Sequence, residues 1–352
     1  MYLCGGGKTC NLIKMNLSPS DFLAQGSAFP IVDVRTPAEF ATGHIPGAHN
    51  IPIFSDEERA LVGTCYKKSG KEPAVELGLK LVGPKLFDLV KQAKNISRRK
   101  PVLIHCWRGG MRSASMAWLF TTAGIETRVL TGGYKSYRQY IRNEFDRATN
   151  ILIVSGYTGS GKTDILKSLA KQGEQIIDLE GLARHKGSAF GAIGQEEQPT
   201  NEQFENNLAR EWQKLDPGKR IWIEDESRAI GRIVIPENLF FKMRSATVLR
   251  VDIPRSVRVE RLVKEYAHID DSEIENALLK LKNKWSIGLT PLLEALTTGD
   301  YHKVANITLA YYDKAYLKGL GNRDPKTIIN LPVDEDDPEQ TACKLIDCAK
   351  SL

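Results

Sequence analysis

The chain has 352 residues, 49 Lys+Arg against 43 Asp+Glu, and 41% hydrophobic content. At roughly 100–200 residues per domain that length predicts about two domains, and the apolar share excludes a collagen-like, mucin-like or wholly disordered chain. The net charge of +6 is uneven: residues 1–150 carry 21 basic and 12 acidic side chains, and residues 151–352 carry 28 and 31. The basic first half is either a docking face for a polyanion or a device for solubility. Six cysteines (Cys4, Cys10, Cys65, Cys106, Cys343, Cys348) form no C-x-x-C pair and lie near no His cluster at zinc spacing, so a structural zinc site is not expected. No run approaches the roughly 18–20 apolar residues that span a bilayer, and Met1–Met15 lacks an apolar signal core and a cleavage site. The expectation is no membrane and a cytoplasmic setting in which thiols stay reduced.

Along the chain, Gly5-Gly6-Gly7-Lys8-Thr9 has no strand before it and reads as a loose tail. Ile31–Val34, Val102–His105 and Arg128–Leu130 are predicted strands, with helical spacing over Pro84–Asn95 and over Ser113–Ala123, where Gly124 stops it. Strands alternating with helices predict a parallel sheet. Tyr134–Arg147 reads as one basic helix with Lys135, Arg138 and Arg142 on a shared face and Tyr137 and Tyr140 interleaved. That face is either a solvated linker or an RNA contact. A second α/β unit opens at Ile151–Val154 and continues through strands at Gln175–Asp178, Arg220–Ile223, Thr247–Asp252 and Thr327–Leu331. Helical segments lie around Glu202–Leu215 and Arg255–Ala267. Residues 272–319 carry Leu at helical spacing and read as a helical insertion or lid. An acidic loop, Asp334–Asp337, precedes a last helix holding Cys343 and Cys348.

Two segments carry chemistry. In His105-Cys106-Trp107-Arg108-Gly109-Gly110-Met111-Arg112-Ser113 a buried strand ends at a cysteine, a Gly-rich loop follows and a helix begins. Loop N–H groups, the positive end of the helix and the charges of Arg108 and Arg112 all favour thiolate over thiol, so Cys106 is a candidate nucleophile. Gly156-Tyr157-Thr158-Gly159-Ser160-Gly161-Lys162-Thr163 follows an apolar strand and precedes a helix, as a Walker A phosphate loop must. Its N–H groups, with Gly156, Gly159, Ser160 and Gly161 allowing close approach, can cradle a diphosphate; Lys162 can neutralise it and Thr163 can hold magnesium. The pattern does not say which diphosphate binds. Asp225, and after it Glu224, are candidates for positioning the magnesium ion or its water, and Asp178 ends a strand facing the same crevice. Arg255, Arg258 and Arg261 share a helix side and either clamp phosphates or keep the helix soluble.

The segments Asp33–Phe40, Gly43–Pro52 and Leu130–Tyr134, taken with the cysteine loop, closely resemble the rhodanese signature. That resemblance implies a loop cysteine carrying sulfur or selenium. Five residues separate Cys106 from Arg112, a loop longer than in many sulfur-carrying rhodaneses and similar to that of cysteine phosphatases, which implies a phosphorus oxyanion as donor. A rhodanese-like parallel-sheet domain (17–147) followed by a P-loop NTPase-like α/β domain (148–352) with a helical insertion (about 272–319), together with Asp178–Ala183, His185–Gly191 and Glu224–Ser227, resembles the tRNA 2-selenouridine synthase family. The resemblance implies replacement of sulfur by selenium in wobble 2-thiouridine of tRNA. It also implies selenophosphate as the selenium donor and an S-geranyl intermediate made from geranyl diphosphate. Cys106 is then the nucleophile or selanyl carrier, Arg108 and Arg112 ligate the donor anion, and the phosphate loop binds the prenyl diphosphate. Trp107 is a candidate stacking partner for a flipped base or a packing residue of the loop. Lys67, Lys68, Lys71 and Arg98–Lys100 are candidate phosphate contacts. The competing readings are a P-loop kinase or NTPase fused to a rhodanese sulfurtransferase, and a persulfide-sensing module that uses nucleotide as a switch.

Overall fold

The computed structural model describes residues 16–352 except 189, 267 and 284–287; the Gly5–Thr9 tail lies outside the described residues. The chain divides between Asn143 and Glu144 into two compact units.

In the first unit a parallel sheet has the order β1-β5-β4-β2-β3, with β1 Asn16–Leu17, β2 Ile31–Asp33, β3 His49–Asn50, β4 Val102–His105 and β5 Thr127–Leu130. Of the three inner strands, β2 and β4 are buried at every residue, as strands covered on both faces must be, which is why they read as apolar runs rather than alternating ones. Beside them Val32, Val34, Ile104, Met116 and Phe120 join in one core. Two capping boxes, Thr36 with Glu39 and Ser55 with Glu58, start the helices Pro37–Thr42 and Asp56–Ser69. Residues 56–82, for which the sequence suggests no element, form the helices Asp56–Ser69 and Lys71–Val82. The first of these has no buried residue, so it carries no core-facing stripe that a periodicity reading could find.

The helix expected at Tyr134–Arg147 runs from Gly133 to Glu144, and its buried side chains are Tyr134, Tyr137, Arg138 and Ile141. Lys135 and Arg142 stay exposed, so the basic face is solvated except at Arg138. The spacing of three and four that groups the arginines also groups the aromatics, and burial of the aromatics takes Arg138 inside with them.

The second unit has a parallel sheet ordered β12-β11-β6-β8-β7, built from β6 Asn150–Ser155, β7 Gln175–Ile177, β8 Arg220–Glu224, β11 Thr247–Asp252 and β12 Ile328–Pro332, with a short antiparallel ribbon of β9 Ala229–Ile230 and β10 Ile233–Val234. Trp222, central in β8, is fully buried and packs with Val154, Leu166, Leu249 and Leu345. The predicted insertion consists of the helices Asp271–Lys280, Thr290–Thr297 and Tyr301–Leu320. Ile274, Leu278, Leu292, Val304 and Leu309 from these helices join Val259 and Leu262 of the helix Arg255–Tyr266 in a core of their own. The last helix, Pro338–Ala349, bears Cys343 and Cys348. Among the described residues no helix is long and apolar enough to cross a membrane.

Candidate functional site

Cys106 follows the last residue of β4, and the helix Met111–Thr122 starts five residues later. Its Sγ lies 3.2 Å from the Ser113 hydroxyl. Burial by itself raises a thiol's pKa, yet the Cys106 thiol lies below its ordinary value. The side chain and N–H of Ser113 and the N–H groups of Arg108 and Gly110 bond the anion more strongly than burial disfavours it. The loop is tied down from behind. Tyr134 N–H donates to the Cys106 carbonyl at 2.8 Å and Lys135 N–H to that of Trp107 at 2.9 Å. Gly133 has φ +63°, and a Cβ there would stand 2.4 Å from the Cys106 carbonyl oxygen, so this turn demands glycine twice over.

A cavity of about 590 Å³ holds Cys106, Trp107, Arg108, Arg112, Arg59 and Glu39 among its lining residues. Arg108 is exposed. Arg112 is half committed: its guanidinium grips the Glu39 carboxylate at 2.6 and 3.2 Å, so it offers an anion only the edge that Glu39 leaves free. Trp107 is tilted 5.8 Å from the Tyr134 ring and lies 5.8 Å from the Arg35 guanidinium, contacts that favour its packing role. Sequence reasoning passed over the support beneath. Arg35 and Asp33 are fully buried and joined at 2.6–3.0 Å, and Arg35 lies 3.8 Å over Tyr134. Burial opposes the Asp33 carboxylate, but His105 and Arg35 hold its pKa below the usual value. Burial lowers His105 to about 4, so the imidazole is neutral at pH 7. Asp33→Ala strands a buried guanidinium and should cost about 3–5 kcal/mol at pH 7. Urea unfolding should show the difference from the parent shrinking below about pH 4, where the parent's own carboxylate protonates.

In the second unit the loop 156–161 connects β6 to the helix Lys162–Lys171. Gly161, at φ +70°, caps that helix in the left-handed region, which lets the chain turn into the helix with its N–H groups free. Tyr157 accepts from the N–H and hydroxyl of Ser160 at 3.1 and 2.7 Å. Lys162 stands among carboxylates: burial would lower its pKa, but Glu180, Glu226 and Asp225 raise it. The Thr163 hydroxyl donates to Glu180 at 2.9 Å.

The carboxylates themselves are distributed differently from the expectation. Asp225 has both oxygens engaged, one by Ser155 Oγ at 2.7 Å and one by Arg323 at 2.6 Å. Each of its oxygens is thus already paired with a donor of the protein itself. Asp178 is the N-cap of the helix Leu179–Ala183 and accepts from Gly181 N–H at 2.7 Å. Glu224 is buried and accepts the Glu180 N–H at 2.8 Å; burial, followed by Asp178, pushes its pKa well up. Glu226 is pushed up to about 8 by burial, with Lys162 opposing and Glu180 and Asp225 adding to the shift. Glu180 and Glu226 are the residues that sequence reasoning missed. Both lie in acidic segments visible in the sequence, Asp178–Ala183 and Glu224–Ser227, but β8 ends at Glu224, so no strand alternation singles out Glu226. A carboxyl whose folded pKa is raised stabilises below its ordinary pKa and loses that contribution as pH rises through the folded value. Glu226→Gln should therefore melt about 2–4 °C above the parent at pH 9 and level with it at pH 4, as thermal denaturation would read.

Among the described residues no group of three or more His, Cys, Asp or Glu is arranged to hold a metal. Thr163 and Glu180 supply hard oxygens that fit magnesium once diphosphate oxygens complete the set. The three helix arginines are all engaged by the protein itself, with Arg258 buried and Arg255 exposed. Arg258 grips Asp313 at 2.9 and 3.0 Å and donates to the Thr158 carbonyl at 3.2 Å; Arg261 pairs with Asp164 and Asp336, and Arg255 donates to the Asn306 carbonyl at 2.6 Å. They brace the phosphate loop and the insertion.

Two sequence families match the chain: "Rhodanese-like domain" over residues 20–140 and "tRNA 2-selenouridine synthase AAA domain" over residues 149–306. The chain is similar to proteins named tRNA 2-selenouridine synthase. The one from Bdellovibrio bacteriovorus is 46% identical over 67% of this chain and 64% of its own length. The one from Shewanella piezotolerans is 40% identical over 69% and 67%, and the one from Psychromonas ingrahamii 36% identical over 71% and 68%. The chain thus spans a little under two thirds of the Bdellovibrio relative.

Proposed function

The chain belongs to the tRNA 2-selenouridine synthase family, and from that membership we propose that it replaces sulfur by selenium in wobble 2-thiouridine of tRNA in two steps. In the first, the thiocarbonyl sulfur attacks the allylic carbon of geranyl diphosphate and diphosphate leaves, its charge met by Lys162 and the N–H groups of residues 156–161. Magnesium, held by Thr163, Glu180 and the diphosphate, would add charge to stabilise that leaving group. In the second, S-geranyl-2-thiouridine, selenophosphate and water give 2-selenouridine, geranylthiol and phosphate, without oxidation or reduction. Geranylation turns a poor leaving group into a thioether that selenium can displace at C2. The donor is held at Cys106, whose thiolate is favoured by the loop, with Arg108 facing the anion.

The observation that carries this reading is the presence in one chain of a thiolate-stabilising loop and a lysine-bearing diphosphate loop. A nucleotide-driven sulfurtransferase would share the parts but consume ATP. Incubating the full chain with 2-thiouridine tRNA, geranyl diphosphate and selenophosphate, each omitted in turn, and resolving nucleosides by mass spectrometry tests it. Selenouridine should need both co-substrates, and the omission of selenophosphate should leave the geranylated nucleoside. Selenouridine formed with ATP and no geranyl diphosphate would overturn the assignment of the phosphate loop.

A further inference from the structure

In the second step proposed above, on which this inference rests, selenium attacks C2 of the uridine while the geranyl chain hangs from the sulfur bonded to that same carbon. Chain and reacting centre are separated by a single atom. Any site that presents C2 to selenium at Cys106 must therefore also take up ten carbons of hydrocarbon next to it.

A groove of about 1400 Å³ lies there. It is walled by the helices Asp56–Ser69 and Lys71–Val82 on one side and Met111–Thr122 on the other, and it shares Arg59, Arg108, Met111 and Arg112 with the Cys106 cavity. Its walls are apolar, with Phe54, Val62, Val75, Leu79, Met116 and Trp118 among them. Leu79 is 68% and Trp118 66% exposed, and both line the groove. Apolar surface gathered in this way marks a binding site rather than scattered exposure. Arg59, Lys67 and Lys71 also line the groove, so hydrocarbon and cationic surface adjoin. That is the complement of an apolar chain tethered to a phosphate backbone. Pockets for drug-sized ligands run to roughly 300–1000 Å³, so this volume accommodates the chain together with part of the nucleoside.

We propose that this groove holds the prenyl chain of the S-prenylated wobble nucleoside during selenium transfer, making the first unit a reader of the geranyl mark.

The test uses the full chain and two anticodon stem-loops that differ only in whether the wobble 2-thiouridine carries S-geranyl. Leu79→Asp and Trp118→Asp place charge in the groove at exposed positions that the fold tolerates; Leu79→Met and Trp118→Phe are the conservative pair. By fluorescence anisotropy the parent should prefer the geranylated stem-loop, and each Asp variant should lose that preference by roughly tenfold or more while binding the thiouridine stem-loop as the parent does. The conservative variants should keep the preference. Retention of the preference in both Asp variants, or equal weakening toward both stem-loops, would overturn the proposal. So would a change of mass by light scattering with the preference intact, which would give the groove to a second copy of the chain. Failure of the two-step reading is separately visible, because a parent that never converts geranylated stem-loop to selenouridine sinks both. A parent that converts it, with Asp variants converting it at the parental rate, sinks the groove alone.

Discussion

Cys106→Ser should stop selenium transfer, by roughly a thousandfold or more, while S-geranyl-2-thiouridine accumulates. The split is expected because the two proposed steps are assigned to residues in different units of the fold. Serine is close in volume, and the Ser113 hydroxyl that lies 3.2 Å from Sγ can bond it, so the loop keeps its shape. What is lost is the anion: the N–H groups that lower the thiol's pKa cannot bring an alcohol to ionise near neutrality. The parent's rate of Cys106 alkylation should accordingly level off at a lower pH than that of an ordinary thiol. Single-turnover assays with mass spectrometry of nucleosides read both products, and selenouridine at the parental rate would take Cys106 out of the chemistry.

Lys162→Ala should have the opposite signature. Geranylation falls by roughly 10²–10³-fold, since the diphosphate loses its cationic partner in transit to the leaving group. Stem-loops supplied already geranylated should still be converted to selenouridine. The variant also leaves Glu180, Glu226 and Asp225 facing one another without the lysine they surround, so Lys162→Arg serves as the control that keeps the charge. Loss of both steps with geranylated substrate in hand would mean that the diphosphate loop acts in selenium transfer too.

The parts of the molecule that were legible in the sequence are those in which the signal is local. β4 and β6 are apolar runs, and the cysteine and phosphate loops each lie between such a strand and a helix. What stayed hidden depends on partners far along the chain. Arg112 reads as an anion ligand until Glu39, 73 residues earlier, is found against it. Asp225 reads as a metal residue, and only the fold shows Arg323, 98 residues later, paired with it. Arg258 and Arg261 share a helix side in any reading, but only the fold shows that this side meets Asp313 and Asp336. The apolar groove was illegible for a related reason. Two of its three wall helices bury almost nothing of their own, and a helix without a buried side leaves no stripe in the sequence.

The Gly132-Gly133 turn has a consequence for how the cysteine loop can be inherited or moved. The carbonyl of Cys106 is seated by an N–H from Tyr134, and the seat leaves no room for a Cβ at position 133. Nucleophile and seat are thus one module written in two places. A graft of residues 106–113 into another parallel sheet would transplant the sulfur without the backbone that aims it, whereas co-transfer of 130–135 would carry the whole device.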